Sequence, residues 1–441
     1  MSLKDIYNKL SPNPLDGKEL KEYYLDLFAV RGENKILTLK NRLLSDPGGK
    51  MHFLLVGFRG CGKSTELNKL KSEIDGTFLV ANLQLQQELD LNTVGYVDIL
   101  LLMMEKLFDI AQINNIAISK SYLKSIKNWT STEEIEKVRG FSSEFESEVG
   151  VSGEMGIPFF SKFFATLRNV SKLNYEAKKT ITEVVERQLS DLIKNCNDLI
   201  REIKLNLHKI SKKGLLLIVE DTDKLLLDRS EDLFFKYSPV FGSLNTHTVF
   251  TFPIALQCNP RATLATAHFD DCFELPMVML KNRQGVETDG TAALKKVIEK
   301  RIGSNLFEEK VLEKAIAMSG GCLRDLFRIV RDAADSAIEK EHPKITMDDC
   351  DTALRSLKKS YKNLIAEKRI DREVLVSTQT YLDVLVNLNK SSDKQLLNTE
   401  ADLDLRHNLC ILGYDGDGWY DVHPIVVEIL RERGLIDALP Q

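Results

Sequence analysis

The chain has 441 residues, 43% of them hydrophobic and 28% charged, with a formal net charge of −5 at pH 7. That length exceeds what one ordinary core fills, so two or three domains are expected. The weakly acidic balance excludes a global attraction for phosphate backbones, so nucleic acid would need a local patch. Seven cysteines, spread from Cys61 to Cys410 without paired spacing, argue against a disulfide framework or zinc site and for a reducing cytoplasm.

The N-terminal "MSLKDIYNKLSPNPL" has no apolar core of signal-peptide length. "MHFLLVG" then reads as a strand, and Gly57-Phe58-Arg59-Gly60-Cys61-Gly62-Lys63-Ser64 fits G-x-x-x-x-G-K-[ST] at every fixed position. Glycines let a backbone wrap an anion with its N–H groups at a helix N-terminus. Lys63 can then reach β- and γ-phosphates while the Ser64 hydroxyl ligates Mg²⁺. The expected cofactor-binding set is Gly57, Arg59, Gly60, Cys61, Gly62, Lys63, Ser64 and Thr65, with Cys61 a small filler rather than a nucleophile. In "KSTELNKLKSEI", Leu67, Leu70 and Ile74 recur at helical spacing.

The most apolar run, "VGYVDILLLMMEKLFDIA", is interrupted by Asp98, Glu105, Lys106 and Asp109, so it reads as a buried helix, not a membrane span. Between Asn114 and Lys179 the pattern turns irregular, as an insertion would. Its phenylalanines Phe159, Phe160, Phe163 and Phe164 are expected to pack beneath a neighbouring element rather than form an exposed partner or membrane patch. From Thr180 to Ile210 apolar residues recur at three and four, predicting one long helix along the sheet that extends as an interaction arm.

"KKGLLLIVEDTDKLLLD" supplies a fully buried strand, Leu215 to Val219, ending in Glu220, Asp221 and Asp223. A nucleotide hydrolase needs one acid at such a strand end for the metal and the next for the attacking water. Register assigns Glu220 to the metal, with Ser64, and Asp221 to the water; the reverse assignment stays open. Asp223 would orient the loop or contact a neighbour. Further on, Gly320-Gly321 separates two helices, the second with an apolar face of Leu326, Val330, Ala333, Ala334 and Ala337. Arg324 opens that helix, where a cation opposes the dipole and calls for an anionic partner, unless it pairs with Asp325 or another acid.

Near the C-terminus two short helices precede a hairpin whose turn is Asp415-Gly416-Asp417-Gly418, a winged-helix arrangement. Its candidate reading helix, Thr399 to Leu409, carries Glu400, Asp402 and Asp404 against Arg406 and His407, a face that would repel phosphate. Protein or intramolecular contact is therefore favoured over DNA for this module. The basic run Lys358, Lys359, Lys362, Lys368 and Arg369 reads as a solvated helix face. His423, before Pro424, reads as a structural hydrogen-bonding residue.

Taken together, GFRGCGKST and LLLIVEDTDKL resemble the AAA+ and STAND branch of P-loop ATPases, particularly its initiator-like and bacterial defence-type members. "DLFAVRGENKILTLKNRLL" is similar to the family's adenine-wrapping segment, with Val30, Arg31 and Gly32 as the implied contacts. "HTVFTFPIALQ" puts Thr251 where the family senses the γ-phosphate, often with Asn. "AMSGGCLRDLFRIVRDAADSAI" resembles the sensor-2 helix of the lid, with Arg324 reaching back to the nucleotide, and "WYDVHP" resembles the C-terminal module of STAND-like ATPases.

The resemblance implies an α/β fold: a P-loop NTPase with a three-layer α/β/α parallel sheet, an α-helical lid and a C-terminal winged-helix domain. The implied division is N-terminal helices and adenine-wrapping segment (1–50), nucleotide-binding core (51–290) with an insertion at about 114–179, lid (291–360) and winged-helix-like domain (361–441). The implied activity is an ATP-binding, Mg²⁺-dependent ATPase switch that assembles or remodels a complex, as a homo-oligomer or with a protein partner, in bacterial defence by analogy. A DNA-binding initiator or loader and a non-hydrolysing nucleotide-binding module are the alternatives. The family carries Asp then Asp or Glu where this chain has Glu220 then Asp221, a departure that bears on turnover more than on binding. Arg261, Arg283 and Arg301 are the candidates for an arginine finger.

Overall fold

A computed structural model describes residues 2–130, 156–173, 175–370, 373–414 and 418–437. Five strands, β1 (His52–Val56), β2 (Phe78–Gln84), β3 (Gly214–Glu220), β4 (His247–Phe252) and β5 (Asp271–Glu274), form one parallel sheet in the order β2-β3-β4-β1-β5. Every residue of β1, β3 and β4 is buried. Continuous runs of Leu, Ile, Val and Phe are what strands covered by helices on both faces require, and the result is the three-layer P-loop NTPase fold.

Strand order creates the site. The chain leaves β1 toward one edge of the sheet, and later passes from β4 over β1 to β5 at the other. Crevices form at the carboxyl ends of strands where the winding direction reverses in this way. In register, Leu55 lies beside Thr251 and Val219 beside Phe250, so β4 stands between the strand that feeds the glycine-rich turn and the strand that ends in acids.

The interrupted apolar run is the buried helix Tyr96–Ile113, and among the described residues no helix is long and apolar enough to cross a membrane. The charges that break the run are docking points. Against this helix lies Ile157–Leu173, whose Phe160, Phe163 and Phe164 are fully buried, with Phe160 stacked on Phe108 at 5.4 Å between ring centroids. Arg168 donates from Nε to Glu105 Oε2 at 2.7 Å, from Nη2 to Glu105 Oε1 at 3.2 Å and from Nη1 to the Glu88 carbonyl at 2.6 Å. Asp98 accepts from Ser171 Oγ and Lys178 Nζ, each at 2.8 Å. The middle of the irregular stretch, residues 131–155, lies outside the described residues.

The expected long helix with a projecting arm is two helices, Tyr175–Arg187 and Leu189–Asn206, separated at Gln188. The apolar spacing runs through the break without a skip, which is why the pattern reads as one helix. Leu192, Cys196, Leu199, Ile200 and Ile203 are all buried in the main core, so the second helix packs along the sheet and leaves no arm.

A second apolar cluster joins helices Gly290–Ile302, Val311–Ser319, Leu323–Glu339 and Met347–Leu364 to the N-terminal Ile6 and Leu10. After a hairpin that the sequence did not announce, β6 (Lys368–Ile370) with β7 (Glu373–Val376), come helices Thr378–Lys390 and Glu400–His407, then antiparallel β8 (Ile411–Tyr414) and β9 (Trp419–Val422), and helix Pro424–Glu432. Residues 415–417 of the expected turn lie outside the described residues.

The acidic helix turns Asp402 and Asp404 inward and leaves only Glu400 of its acids exposed. Residues Ala401 to Arg406 are buried. Asp402 closes its own N-cap with Thr399, and Asp404 accepts from Lys368 and Tyr381, each at 2.8 Å. The nearby basic run is paired as well: Lys358 and Lys362 both hold Glu432, and Arg369 holds Glu367.

Arg168→Met strands the Glu105 carboxylate in the core. It should lower the unfolding free energy by roughly 3–5 kcal/mol, as breaking one side of a buried ion pair does, while replacing both partners with apolar residues should recover most of that loss. Urea titrations of the two variants check this.

Candidate functional site

The turn between β1 and helix Lys63–Ile74 takes its shape from glycine. Gly60 (φ +82°) and Gly62 (φ +108°) lie in the left-handed region, and a Cβ on Gly60 would come within 2.6 Å of Arg324 Cβ. Lys63 curls back over the turn, donating to the carbonyls of Gly57 at 2.7 Å and Phe58 at 3.0 Å and pairing with Asp223 Oδ2 at 2.9 Å. Below it Arg31, 1% exposed, donates from Nη2 to the Cys61 carbonyl at 2.6 Å. Its Nε and Nη1 have no hydrogen-bond partner among the described residues. A buried guanidinium left open on two sides is costly without an acceptor, so this cradle suits an anionic, hydrogen-bonding ligand.

The three carboxylates of β3 face different ways. Glu220 accepts from Asn82 Nδ2 at 3.0 Å and bonds with the Ser64 hydroxyl; burial pushes its carboxyl up, and these two hydrogen bonds offset part of the rise. Asp221 adopts φ +73° and turns to the opposite side, accepting from the Gln86 backbone N–H at 3.1 Å and pairing with Lys224 at 2.6 Å. Asp223 is the acid that meets Lys63. Burial would raise its carboxyl, but the Lys63 ammonium and hydrogen bonds from Lys63 and Thr251 hold it below its ordinary value. Thr251, on the intervening strand, also receives the Thr222 hydroxyl at its carbonyl.

A cleft of ≈ 1000 Å³, counting the solvent at its mouth, opens beside the turn. Its wall brings together the cations Arg31, Arg59, Lys63, Lys224, Arg301 and Arg324 against the carboxylates Glu66 and Asp223, with Ser64 and Thr65 between them. In a chain of net negative charge this is a local anion-binding field. Pro12, Pro14, Leu15, Leu25, Leu27 and Phe327 supply apolar wall. The N-terminal segment is tied to the loop helix through Leu15 N–H to Thr65 Oγ1 at 3.2 Å, Asn68 to the Leu15 carbonyl at 2.9 Å and Tyr24 to Glu66 at 3.0 Å.

Of the residues expected from sequence, Arg31, Arg59, Gly60, Gly62, Lys63, Ser64, Thr65 and Arg324 line this cleft. Gly57 and Cys61 sit beneath the turn, Cys61 1% exposed, and Val30 packs in the second apolar cluster, its carbonyl accepting from Met279 N–H at 2.9 Å. Glu220 and Asp221 are not in the wall. No carboxylate lies within 4 Å of Arg324 among the described residues, because Asp325 is taken by the Tyr361 hydroxyl at 2.6 Å and by His423 Nε2 at 3.2 Å. His423 is fully buried, and its Nδ1 accepts from the Ile425 N–H. Of the three arginine-finger candidates, Arg301 lines the cleft of its own chain, Arg283 donates to the Asp393 carbonyl, and Arg261, its side chain 59% exposed, lies 3.6 Å from Glu231.

Sequence reasoning missed Asn82, Lys224 and the Pro12–Leu27 wall, and it offered Arg301 as an arginine-finger candidate rather than as a residue of its own chain's cleft. For Asn82 a signal exists, a lone amide in the apolar strand "FLVANLQ". Lys224 lies only three residues after Asp221 in the same acidic segment, whereas long-range packing alone brings Arg301 and the N-terminal wall here.

The C-terminal segment touches the turn directly. Arg59 shares a 2.9 Å hydrogen bond with His407 Nε2, and Gly413 approaches so closely that a Cβ there would lie 2.7 Å from the Phe58 ring. Burial first, then the charge of Arg59, pushes the His407 imidazole down to about 3; Lys368 adds to the effect and Asp223 opposes it.

An unfolded imidazole titrates near 6.5. Between that value and about 3 the unfolded chain binds a proton that the folded chain refuses. This contribution to stability is therefore fully present above the unfolded value and is lost progressively as pH falls through the window. His407→Gln should flatten the fall of the urea midpoint with acidification. The flattening is partial, since buried His52, pushed down to about 4, adds a slope of the same sign.

No protein-family model matches the chain, and no curated protein matches its sequence. Solved structures with a similar course include the Aeropyrum pernix Orc1 protein in complex with DNA, at 10% identity, covering 98% of this chain and 97% of that one, TM-score 0.41. A Walker-type ATPase of Pyrococcus abyssi matches at 13% identity over 96% and 99%, TM-score 0.42. The Thermotoga maritima RuvB Holliday junction branch migration motor matches at 12% identity over 95% and 99%, TM-score 0.36. The fold assignment rests on the strand order and the turn described above, not on these likenesses.

Proposed function

We propose that this chain is an ATP-binding, Mg²⁺-dependent ATPase of the AAA+ type, a switch whose nucleotide state sets how the lid and C-terminal segment hold the core. The observation that carries the reading is the meeting of a complete phosphate-loop sequence with the acids that follow β3, across one strand: Lys63 pairs with Asp223 at 2.9 Å.

In this reading the turn's N–H groups and Lys63 bind the β- and γ-phosphates, Lys63 giving up the Gly57 and Phe58 carbonyls to do so. Ser64, in the cleft wall, and Glu220, just outside it, would hold the Mg²⁺, which would supply charge neutralisation between the phosphates. Arg31 offers its two open N–H sides to the nucleotide, and the N-terminal segment closes over the base. Thr251, buried beside Asp223 and outside the cleft wall, would act on the γ-phosphate through Asp223. Arg324, packed on Gly60, ties the lid helix to the occupant of the turn. Asp221 is the acid for the attacking water by its place after Glu220, yet it is held outside the cleft, so turnover requires that it swing inward.

The C-terminal helices and hairpin are read as a winged-helix domain in intramolecular contact. DNA binding would require helix Glu400–His407 to leave the core, its acids Asp402 and Asp404 are consumed in internal bonds and Glu400 is exposed, so DNA is the secondary partner in this reading. Arg261, exposed and outside the cleft, is the arginine available to complete a neighbour's site in a homo-oligomer. A defence or stress-response setting follows from resemblance alone.

Lys63→Ala should abolish ATP binding, read by titration with a fluorescent ATP. Asp221→Asn should keep binding and reduce phosphate release by about 10²–10⁴-fold, the usual worth of a general base; equally negligible release from both proteins would favour the non-hydrolysing module. Particle mass should rise with ATP relative to ADP or no nucleotide, and monomers throughout, with steady turnover, would sink the assembly part of the proposal.

A further inference from the structure

We infer that Lys224 is the sensor that distinguishes a triphosphate from a diphosphate in this site: its ammonium clamps Asp221 outside the cleft and releases it when a terminal phosphate takes its place. The inference rests on the nucleotide reading above and adds how that site is held at rest.

The clamp is specific. Lys224 Nζ lies 2.6 Å from Asp221 Oδ1 and donates to Gln86 Oε1 at 2.7 Å, while the Gln86 N–H donates to Asp221 Oδ2 at 3.1 Å. One lysine thus closes a ring that joins the end of β3 to the short helix Leu85–Glu88 after β2. Within the ring Asp221 keeps φ +73°, a left-handed conformation that Asp tolerates better than most residues. The Lys224 N–H, bonded to the Asp221 carbonyl at 2.9 Å, closes the turn that carries both side chains.

The two partners differ in where they stand. Asp221 is 9% exposed by side chain and is not part of the cleft wall; Lys224 is 30% exposed and lines the cleft with Asp223, Arg59 and Lys63. Its ammonium therefore has two acceptors to choose between, a single carboxylate behind it and whatever anion fills the cleft before it. A partly exposed lysine–carboxylate pair is weak, and a terminal phosphate offers more charge and three acceptor oxygens. Without a γ-phosphate the carboxylate keeps the lysine. With one, the lysine turns forward, Asp221 loses its charged partner, and the turn is free to bring the acid to the water. Nothing is transferred but a hydrogen-bonding ammonium.

The full-length protein should be titrated with fluorescent ATP and ADP in Mg²⁺, as wild type, Lys224→Met and Lys224→Arg. Loss of one charge-assisted hydrogen bond predicts that Lys224→Met binds ATP about tenfold more weakly while its ADP affinity stays within about twofold, and that Lys224→Arg keeps most of the preference for ATP. In steady-state hydrolysis the methionine variant should show the loss in KM, with kcat little changed, because saturating ATP has already opened the clamp. Equal weakening for both nucleotides, or none, overturns the sensor, as does a fall in kcat at unchanged KM. Should wild type bind neither nucleotide, or Lys63→Ala bind as wild type does, the nucleotide reading itself fails and the sensor with it.

Discussion

A buried ion pair, Lys63 with Asp223, spans two strands that are not neighbours, and the site depends on it. Each side chain is about 6% exposed, and a charge so placed without its partner would cost several kcal/mol. The pair is possible because β4 bonds in parallel to β1 on one side and β3 on the other, putting both chain reversals at one end of the sheet. Thr251, carried on β4, fills the gap between them and bonds to both Asp223 and Thr222. Ammonium, acid and hydroxyl thus meet at one end of the sheet, beside the cleft that Lys63 and Asp223 line.

The glycine-rich turn was legible in the sequence because its chemistry is local: Gly60 and Gly62 occupy conformations that other residues resist, and Lys63 and Ser64 follow at fixed positions. The β3 strand was legible for a similar reason, an apolar run with no polar face. What the acids do was not. Glu220, Asp221 and Asp223 differ by one or two positions, and which of them faces the lysine is decided by a left-handed residue and a 3₁₀ turn that no periodicity encodes. Nor could the sequence distinguish Glu105 as an interruption of an apolar helix from Glu105 as the seat of Arg168, a partner 63 residues away. The acidic helix Glu400–His407 misled in the same way, because charge on a short helix reads as solvent-facing until Lys368 and Tyr381 are seen to cover it.

The turn divides its labour by residue. Positions fixed by the phosphate pattern face the cleft or support it, while Phe58 and Arg59, free to vary within the pattern, reach outward to Gly413 and His407. The C-terminal segment therefore rests on the same six residues that shape the anion cradle. Because His407 is neutral, Arg59 keeps its charge without a carboxylate side chain as partner and leans on the Asp223 carbonyl at 3.4 Å instead, which leaves that charge available to the cleft.

Gly320, between helix Val311–Ser319 and the helix Leu323–Glu339 that carries the cleft-facing Arg324, is gripped from the other direction. The Tyr414 hydroxyl bonds to its carbonyl at 2.8 Å, and Leu412 and Pro424 crowd it so closely that a Cβ would fall within 2.8 Å of either. Hairpin β8–β9 and the helices flanking Gly320 are thus packed together without room for a side chain at the joint. Gly320 lies four residues before the arginine seated on Gly60, so a displacement of the C-terminal hairpin would reach Arg324 by a route that bypasses the sheet.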